Sequence, residues 1–310
     1  MDGKIDIYCE FGFLKRFCDE REVITNENLK LWVKYLELLE GKCDIILDIE
    51  RKDFAAHCDE SMSGQILMLL LAPYADGSEK LRFWPEIKKE LEISEKEEDG
   101  SEFFAPHEHT IFMMDRDKTE CKRLEEDYGL LFISKDNFYE YKFLFISDIQ
   151  EINATSNFWE SVKLYKHPCN KITLVDKFIV NETDEVIKEN LNSLFDSIMP
   201  LTLNKIDFKI LIYTKEDSDK KKNDKKAELV KDCISSIRTY QKPIDIDIVW
   251  ERKPEHDRSL FTNYGFFECG YGFVLTEYQR ASGTRISFDT ITNHNVYKIV
   301  RNFKEKKKQK

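Results

Sequence analysis

An α/β fold in two domains is what this sequence predicts, on three observations. Short runs of alternating or continuous apolar residues recur between helical patterns, the strand–helix–strand grammar of sheets covered by helices. The 310 residues suffice for two packed cores, and 41% hydrophobic with 13% aromatic content argues against extended disorder. Charge then divides unevenly. Residues 1–150 hold 20 of the 48 Lys and Arg and 35 of the 59 Asp and Glu, a net of -15, which leaves 28 and 24, a net of +4, for residues 151–310. An acidic half joined to a mildly basic one implies two different surfaces. The predicted limits are an acidic α/β domain over 1–150, a linker over 151–170 where periodicity is weak, a second α/β domain over 171–303, and a basic tail over 304–310.

The elements follow in order. KIDIYC (4–9) alternates as a short strand, and TNENLKLWVKYLELLEG sets Leu29, Trp32, Val33, Leu36 and Leu39 at helical spacing before Gly41. CDIILDI (43–49) reads as a buried strand with acids at both ends, and 61–72 as a helix. SEKEEDGSE (94–102) reads as a solvated loop. HTIFMMDRDKTECKRLEEDYGLLFIS then gives a strand over 110–114, an acidic turn, a helix over about 118–127 and a strand over 130–134. In the second half KITLVDKFIV is a strand carrying Asp176 in its middle or at its end. The next helix places Ile187, Leu191, Leu194, Phe195 and Ile198 on one stripe and ends before Pro200. FKILIYT (208–214) is a strand, KEDSDKKKNDKK a charged loop and AELVKDCISSIRTY a helix. IDIDIVW (244–250) and SLFTNY complete a β-α-β-α-β-β order, and VRNFKEKKKQK reads as a frayed end.

Several function classes fall away. The longest apolar run, QILMLLLAPY at 65–74, is about half of the roughly 18 residues that a membrane span needs. The N-terminus lacks the basic, apolar and small-residue blocks of a secretion signal. Eight cysteines lie at 9, 18, 43, 58, 121, 169, 233 and 269 without a CxxC pair, which points to reduced, buried thiols and a cytoplasmic setting. Neither GxxxxGK[ST] nor GxGxxG occurs, so the usual nucleotide cradles are absent. His107-Glu108-His109 has an i, i+2 spacing that suits a surface loop better than a metal site, and His57-Cys58 lacks the partners of a thiol nucleophile.

Two stretches carry chemistry. In KPEHDRSLFTNYGFFECGYGF (253–273) a His, an Asp and an Arg arrive together before a Gly-punctuated aromatic run. With ITLVDKFI, FKILIYT and IDIDIVW, this resembles a single-copy phospholipase-D-like domain. Similar domains close microtubule-interacting-and-transport proteins and occur in bacterial relatives with an HDR triplet. The resemblance implies that His256, Asp257 and Arg258 form the site. Active members use a His-x-Lys motif in which one imidazole attacks phosphorus and a second protonates the leaving group. Here Arg258 stands where that Lys would be, and it could grip a phosphate in a bidentate fork. A single copy would need a symmetric dimer for catalysis. The residues alone leave three roles open for His256: nucleophile, anion ligand, or member of an internal hydrogen-bond network with Asp176 or Asp257.

In the acidic half, IYCEFGFL and FMMDRDKTECKRLEEDYGLLFIS place acids just after strands. This is similar to a PIN-type nuclease domain, whose carboxylates hold one or two divalent cations that activate water against a phosphodiester. The resemblance implies Glu10 as the first acid and Asp115 with Asp117 as the later pair. Glu120, one helical turn on, could join them, while Asp44 and Asp48 bracket a strand as lesser candidates. The alternative is a solvated acidic edge. The leading expectation is a metal-dependent nuclease effector, using Mg²⁺ or Mn²⁺, in a bacterial anti-phage or toxin-like system. Its C-terminal domain would bind nucleic acid, a protein partner or a second copy. Two alternatives are a non-enzymatic adaptor with two inactive domains and a dimeric phosphodiesterase using His256.

Overall fold

The computed structural model describes residues 5–18, 43–75, 81–97, 101–137, 140–141, 144, 149–153, 158–252, 254, 258–270, 272–273 and 285–308. The helix expected over 25–41 lies outside them. The fold is α/β, with two separate sheets. The chain divides into two compact units, one of Met1–Glu125, Leu130–Ser147 and Ile291–Lys310, the other of Glu126–Gly129 and Asp148–Thr290.

The first unit is built on five parallel strands: β1 (Ile5–Cys9), β2 (Cys43–Leu47), β3 (Leu81–Phe83), β4 (Ile111–Met113) and β5 (Leu131–Ile133). Their order is β3-β2-β1-β4-β5. Chain order runs outward from β1 on one side through β2 and β3, then returns to β1's other flank as β4. That reversal between β1 and β4 is the point where open α/β sheets form a crevice beyond the strand carboxyl ends. The apolar runs at β1, β2, β4 and β5 are buried almost throughout, as strands covered on both faces require. Parallel register sets Tyr8, Phe112 and Phe132 in one row, with Phe112 and Phe132 stacked 4.8 Å apart and Tyr8 edge-on to Phe112 at 5.8 Å. The helices are α1 (Phe11–Phe17), α2 (Arg51–Glu60), α3 (Met62–Ala75), α4 (Ile87–Ser94), the short α5 (Ser101–Phe104) with a 3₁₀ turn Ala105–His107, and α6 (Lys118–Tyr128). Cys121, Leu124 and Tyr128 give α6 its buried stripe at i, i+3 and i+7. Gly129 ends the helix at φ +62°, and a Cβ there would sit 2.6 Å from the Cys169 carbonyl oxygen, so glycine is required twice over.

The second unit holds a seven-stranded mixed sheet. Its strands are β6 (Gln150–Asn153), β7 (Lys171–Val175), β8 (Phe208–Lys215), β9 (Ile244–Glu251), β10 (Ser259–Phe261), β11 (Gly265–Cys269) and β12 (Arg285–Thr290), in the order β6-β12-β11-β10-β7-β8-β9. β7, β8 and β9 are parallel, and the remaining pairings antiparallel. Helices α7 (Phe158–Lys163), α8 (Asp184–Ile198) and α9 (Lys220–Ile237) accompany it. All five residues of the predicted α8 stripe are buried. A final helix, α10 (His294–Lys308), counts with the first unit.

Four expectations need adjusting. Residues 151–170 carry most of β6 and all of α7, so they are not a plain linker. The charged stretch 220–226 is the start of α9, because the Asp219 side chain accepts the Lys221 N–H at 3.0 Å and caps a run of good helix formers. The strand expected to carry Asp176 ends at Val175. The basic end belongs to a helix through Lys308, whose Val296, Val300 and Phe303 are buried. All eight cysteines are buried and free. Among the described residues, no helix is long and apolar enough to cross a membrane.

Candidate functional site

The carboxyl edge of the first sheet gathers the acids of greatest interest. Glu10 follows the last residue of β1 and Asp48 the last of β2, and Asp115 stands just beyond β4. Because β2, β1 and β4 are consecutive in the sheet, three carboxylates from distant parts of the chain meet at the crevice. Glu10 is only 1% exposed. Its Oε2 accepts the Asp115 N–H at 2.6 Å. Its Oε1 has no hydrogen-bond partner among the described residues and faces Lys88 Nζ at 3.7 Å. Asp48 accepts the Phe11 N–H at 2.5 Å, and Asp115 pairs with Arg16 Nε at 2.7 Å.

Burial raises the pKa of Glu10, with the Asp48 charge adding to it, against the lowering effects of the Asp115 N–H, Lys88 and Arg116. Burial likewise raises Asp48, with the Asp115 charge adding to it, against the Phe11 N–H and Lys88. Beside them the Tyr8 phenol is fully buried without a hydrogen-bond partner among the described residues, and burial together with Asp48 and Glu10 keeps it protonated. Two carboxylates whose pKa values burial raises are a costly arrangement at a sheet crevice, which makes the crevice a candidate functional site.

The cleft in front of Glu10 and Asp115 encloses about 490 Å³. Glu10, Asp115, Glu92, Glu95 and Glu120 line it together with Lys88, Lys96, Arg116 and Arg123. Arg116 bridges Glu95 at 2.7 Å and Glu120 at 2.9 Å. Of the four acids expected as ligands, the structure thus brings Glu10 and Asp115 together. Asp117 is exposed and caps α6, accepting the Glu120 N–H at 2.8 Å, and Glu120 turns to Arg116. Asp48, at the end of β2, is near enough for its charge to act on Glu10. Asp44 lies at the opposite end of β2, 3.9 Å from Arg82. Hard carboxylate oxygens, one of them buried and orphaned, fit Mg²⁺ or Mn²⁺ in kind. Lys88 and Arg16 take the neighbouring positions, and among the described residues no three His, Cys, Asp or Glu side chains form a ready ligand set.

The second unit presents the HDR stretch. His256 and Asp257 lie outside the described residues. Arg258 is described, 9% exposed, just before β10. Its Nη1 donates to the Gly270 carbonyl, and its guanidinium lies 5.0 Å from the Phe178 ring centre. Asp176, fully buried just past β7, accepts the Phe178 N–H at 2.8 Å and the Phe273 N–H at 2.6 Å. Its pKa is raised by burial, against those two N–H groups and the nearby Arg258 charge. Gly272 at φ +101° permits this approach, since a Cβ there would sit 2.9 Å from Asp176 Oδ2. These contacts tie the loops together. Within this group Arg258 Nε has no hydrogen-bond partner among the described residues.

The TNY stretch following HDR is a turn fastener. Thr262 Oγ1 receives the Gly265 N–H at 2.8 Å and pairs with His167 Nε2 at 2.6 Å. Asn263 Oδ1 accepts the Asn170 and Lys171 N–H groups at 2.9 and 3.1 Å. His107 contacts Thr110 at 3.2 Å, whereas Glu108 and His109 turn to Lys304, so the three do not act as a unit. His57 meets Ser61 and Ser63. No protein-family model matches the chain, and no curated protein is significantly similar to it in sequence.

Proposed function

We propose that the cleft beyond β1, β2 and β4 is the active site of a metal-dependent nuclease. It would take Mg²⁺ or Mn²⁺ on Glu10, Asp115 and Asp48. The observation that carries this reading is Glu10: a buried carboxylate at the sheet's reversal point, with one oxygen lacking a hydrogen-bond partner among the described residues, in a cleft that Asp115 also lines. A bound divalent cation would supply a more acidic water and neutralise charge on a phosphodiester. Lys88, Lys96, Arg116 and Arg123 line the same cleft and would attract the phosphate. The anti-phage or toxin-like setting rests on the HDR resemblance, and the second unit would serve partner or nucleic-acid binding.

One observation favours the adaptor reading instead. Lys88 and Arg16 already sit against the carboxylates, and Arg258 is tied to Gly270, so both sites are internally neutralised. Labelled single- and double-stranded DNA and RNA, incubated with Mg²⁺, Mn²⁺ or EDTA, decide between them. The expected result is metal-dependent cleavage lost in Asp115→Ala and kept in His256→Ala. Loss only in His256→Ala moves the chemistry to the second unit. No cleavage by wild type in any condition sinks the nuclease reading and leaves the adaptor.

A further inference from the structure

A second concavity of the first unit lies apart from the carboxylate cleft. Trp84 follows β3, Ile93 and Ser94 come from the end of α4, and Phe103, Pro106 and His107 come from α5 and the 3₁₀ turn after it. Together they line a groove of about 400 Å³. The local sequence explains the shape. Pro85 follows Trp84, whose N–H is used by the Leu47 carbonyl at 2.8 Å, and Ile87 and Leu91 bury one face of α4, so Ile93 is turned outward at 49% exposure. Phe103 leans edge-on against the buried Phe104 at 4.9 Å and over His107 at 5.1 Å, which holds its ring at the groove wall. The wall is therefore apolar and braced from behind.

Its rim is of one sign. Glu90, Glu97 and Glu102 line it from three separate positions, and no Lys or Arg does so among the described residues. His107 adds little positive charge, because burial and the Arg82 charge lower its pKa. We propose that this groove docks a cationic polypeptide segment, one that inserts a large apolar side chain between Trp84, Ile93 and Phe103 and places Lys or Arg against Glu90 and Glu102. The volume suits one such anchor within the roughly 300–1,000 Å³ of ligand pockets. Apolar anchors with complementary charges at the rim are how interfaces divide affinity from selectivity. Acids on two separate helices, Glu90 on α4 and Glu102 on α5, call for charges spread along a chain, which a compact organic cation cannot supply. Nucleic acid is disfavoured because its phosphates would face carboxylates alone.

The test uses the full chain and a short fluorescein-labelled peptide with a central Trp-Leu pair flanked by Lys and Arg. Three control peptides replace the Trp-Leu pair by alanine, replace the cations by Glu, or scramble the order. Saturable binding that weakens with salt is expected. It should also fall by about tenfold or more in Ile93→Asp and in the combined Glu90→Lys, Glu102→Lys variant, about 1.4 kcal/mol per factor of ten. Circular dichroism melts confirm folding, and Ile93→Ala replaces Ile93→Asp if the latter unfolds. Equal binding of the alanine peptide overturns the proposal, since charge alone would then suffice. Absence of saturable binding, or binding unmoved by the variants, overturns it as well. So does capture at this groove of single-stranded DNA, or a concentration-dependent self-association that Ile93→Asp abolishes.

Discussion

Glu10 is a carboxylate placed where ionisation is least favoured. It is buried, faces other acids, and keeps one oxygen without a hydrogen bond among the described residues. If its role is to hold the fold, removing its charge leaves Lys88 without its counter-ion and should cost stability. If its role is functional, the charge is a burden on folding that activity requires. Glu10→Gln separates these, because the amide oxygen can still accept the Asp115 N–H. We expect stability within about 1 kcal/mol of wild type by urea unfolding, and cleavage lowered by on the order of 100-fold. The pH dependence has a definite sign. Burial raises both Glu10 and Asp48, so their ionisation costs stability at neutral pH, and that cost is relieved as pH falls through their folded-state pKa values. Glu10→Gln should flatten this part of the profile. A loss of several kcal/mol in the variant at neutral pH would instead identify Glu10 as a strut.

At the scale of elements, the turn between β10 and β11 depends on a neutral histidine. His167 is buried, with Nδ1 2.8 Å from the Tyr165 carbonyl, so Nδ1 donates and Nε2 accepts from the Thr262 hydroxyl. Burial lowers its pKa to about 4, against the raising effect of the Tyr165 carbonyl. An unfolded histidine titrates near 6.5, so the stability held above that pH is lost as pH falls from about 6.5 towards 4. The expected loss from this group is about 3 kcal/mol, read as a shift in urea midpoint, and His167→Gln should remove that component of the pH dependence. A variant profile parallel to the wild type's over that range would show the imidazole is not held neutral. Element by element, the sequence was informative where a period repeats. The five-residue stripe of α8 and the five-residue strands β1 and β2 were legible because each is long enough to show its spacing, and β4 because its apolar run is unbroken where Arg82 interrupts β3. β3 has three residues and no pattern to show, and the start of α9 was hidden by a lysine-rich composition that suits both solvent and helix. The acids after β1 and β4 could be read, but Asp48 could not be ranked with them. Its place beside Glu10 follows from β2 pairing with β1 across a long connection, and Lys88 and Arg16 arrive from other segments again.

At the scale of the whole molecule, the chain leaves its first unit, builds the second, and returns. The returning helix α10 is what the sequence hid most completely, because a basic end reads as solvated when its buried residues are few and widely spaced. Val296, Val300 and Phe303 recur at i, i+4 and i+7 on one buried face. Lys304 meets Glu108 and His109, and the Thr292 hydroxyl donates to the Leu144 carbonyl at 3.0 Å, all within the first unit. A chain stopped before His294 should therefore lose stability in the first unit alone. Removing three buried apolar side chains forfeits on the order of 5 kcal/mol of burial, a large share of a domain's net stability. Hydrogen exchange resolved by peptide checks this. Protection should fall across β1, β2 and β4 and stay unchanged across β7, β8 and β9. Equal loss in both sheets would mean that the two units unfold as one, and no loss in either would mean that α10 adds nothing to the core of the first.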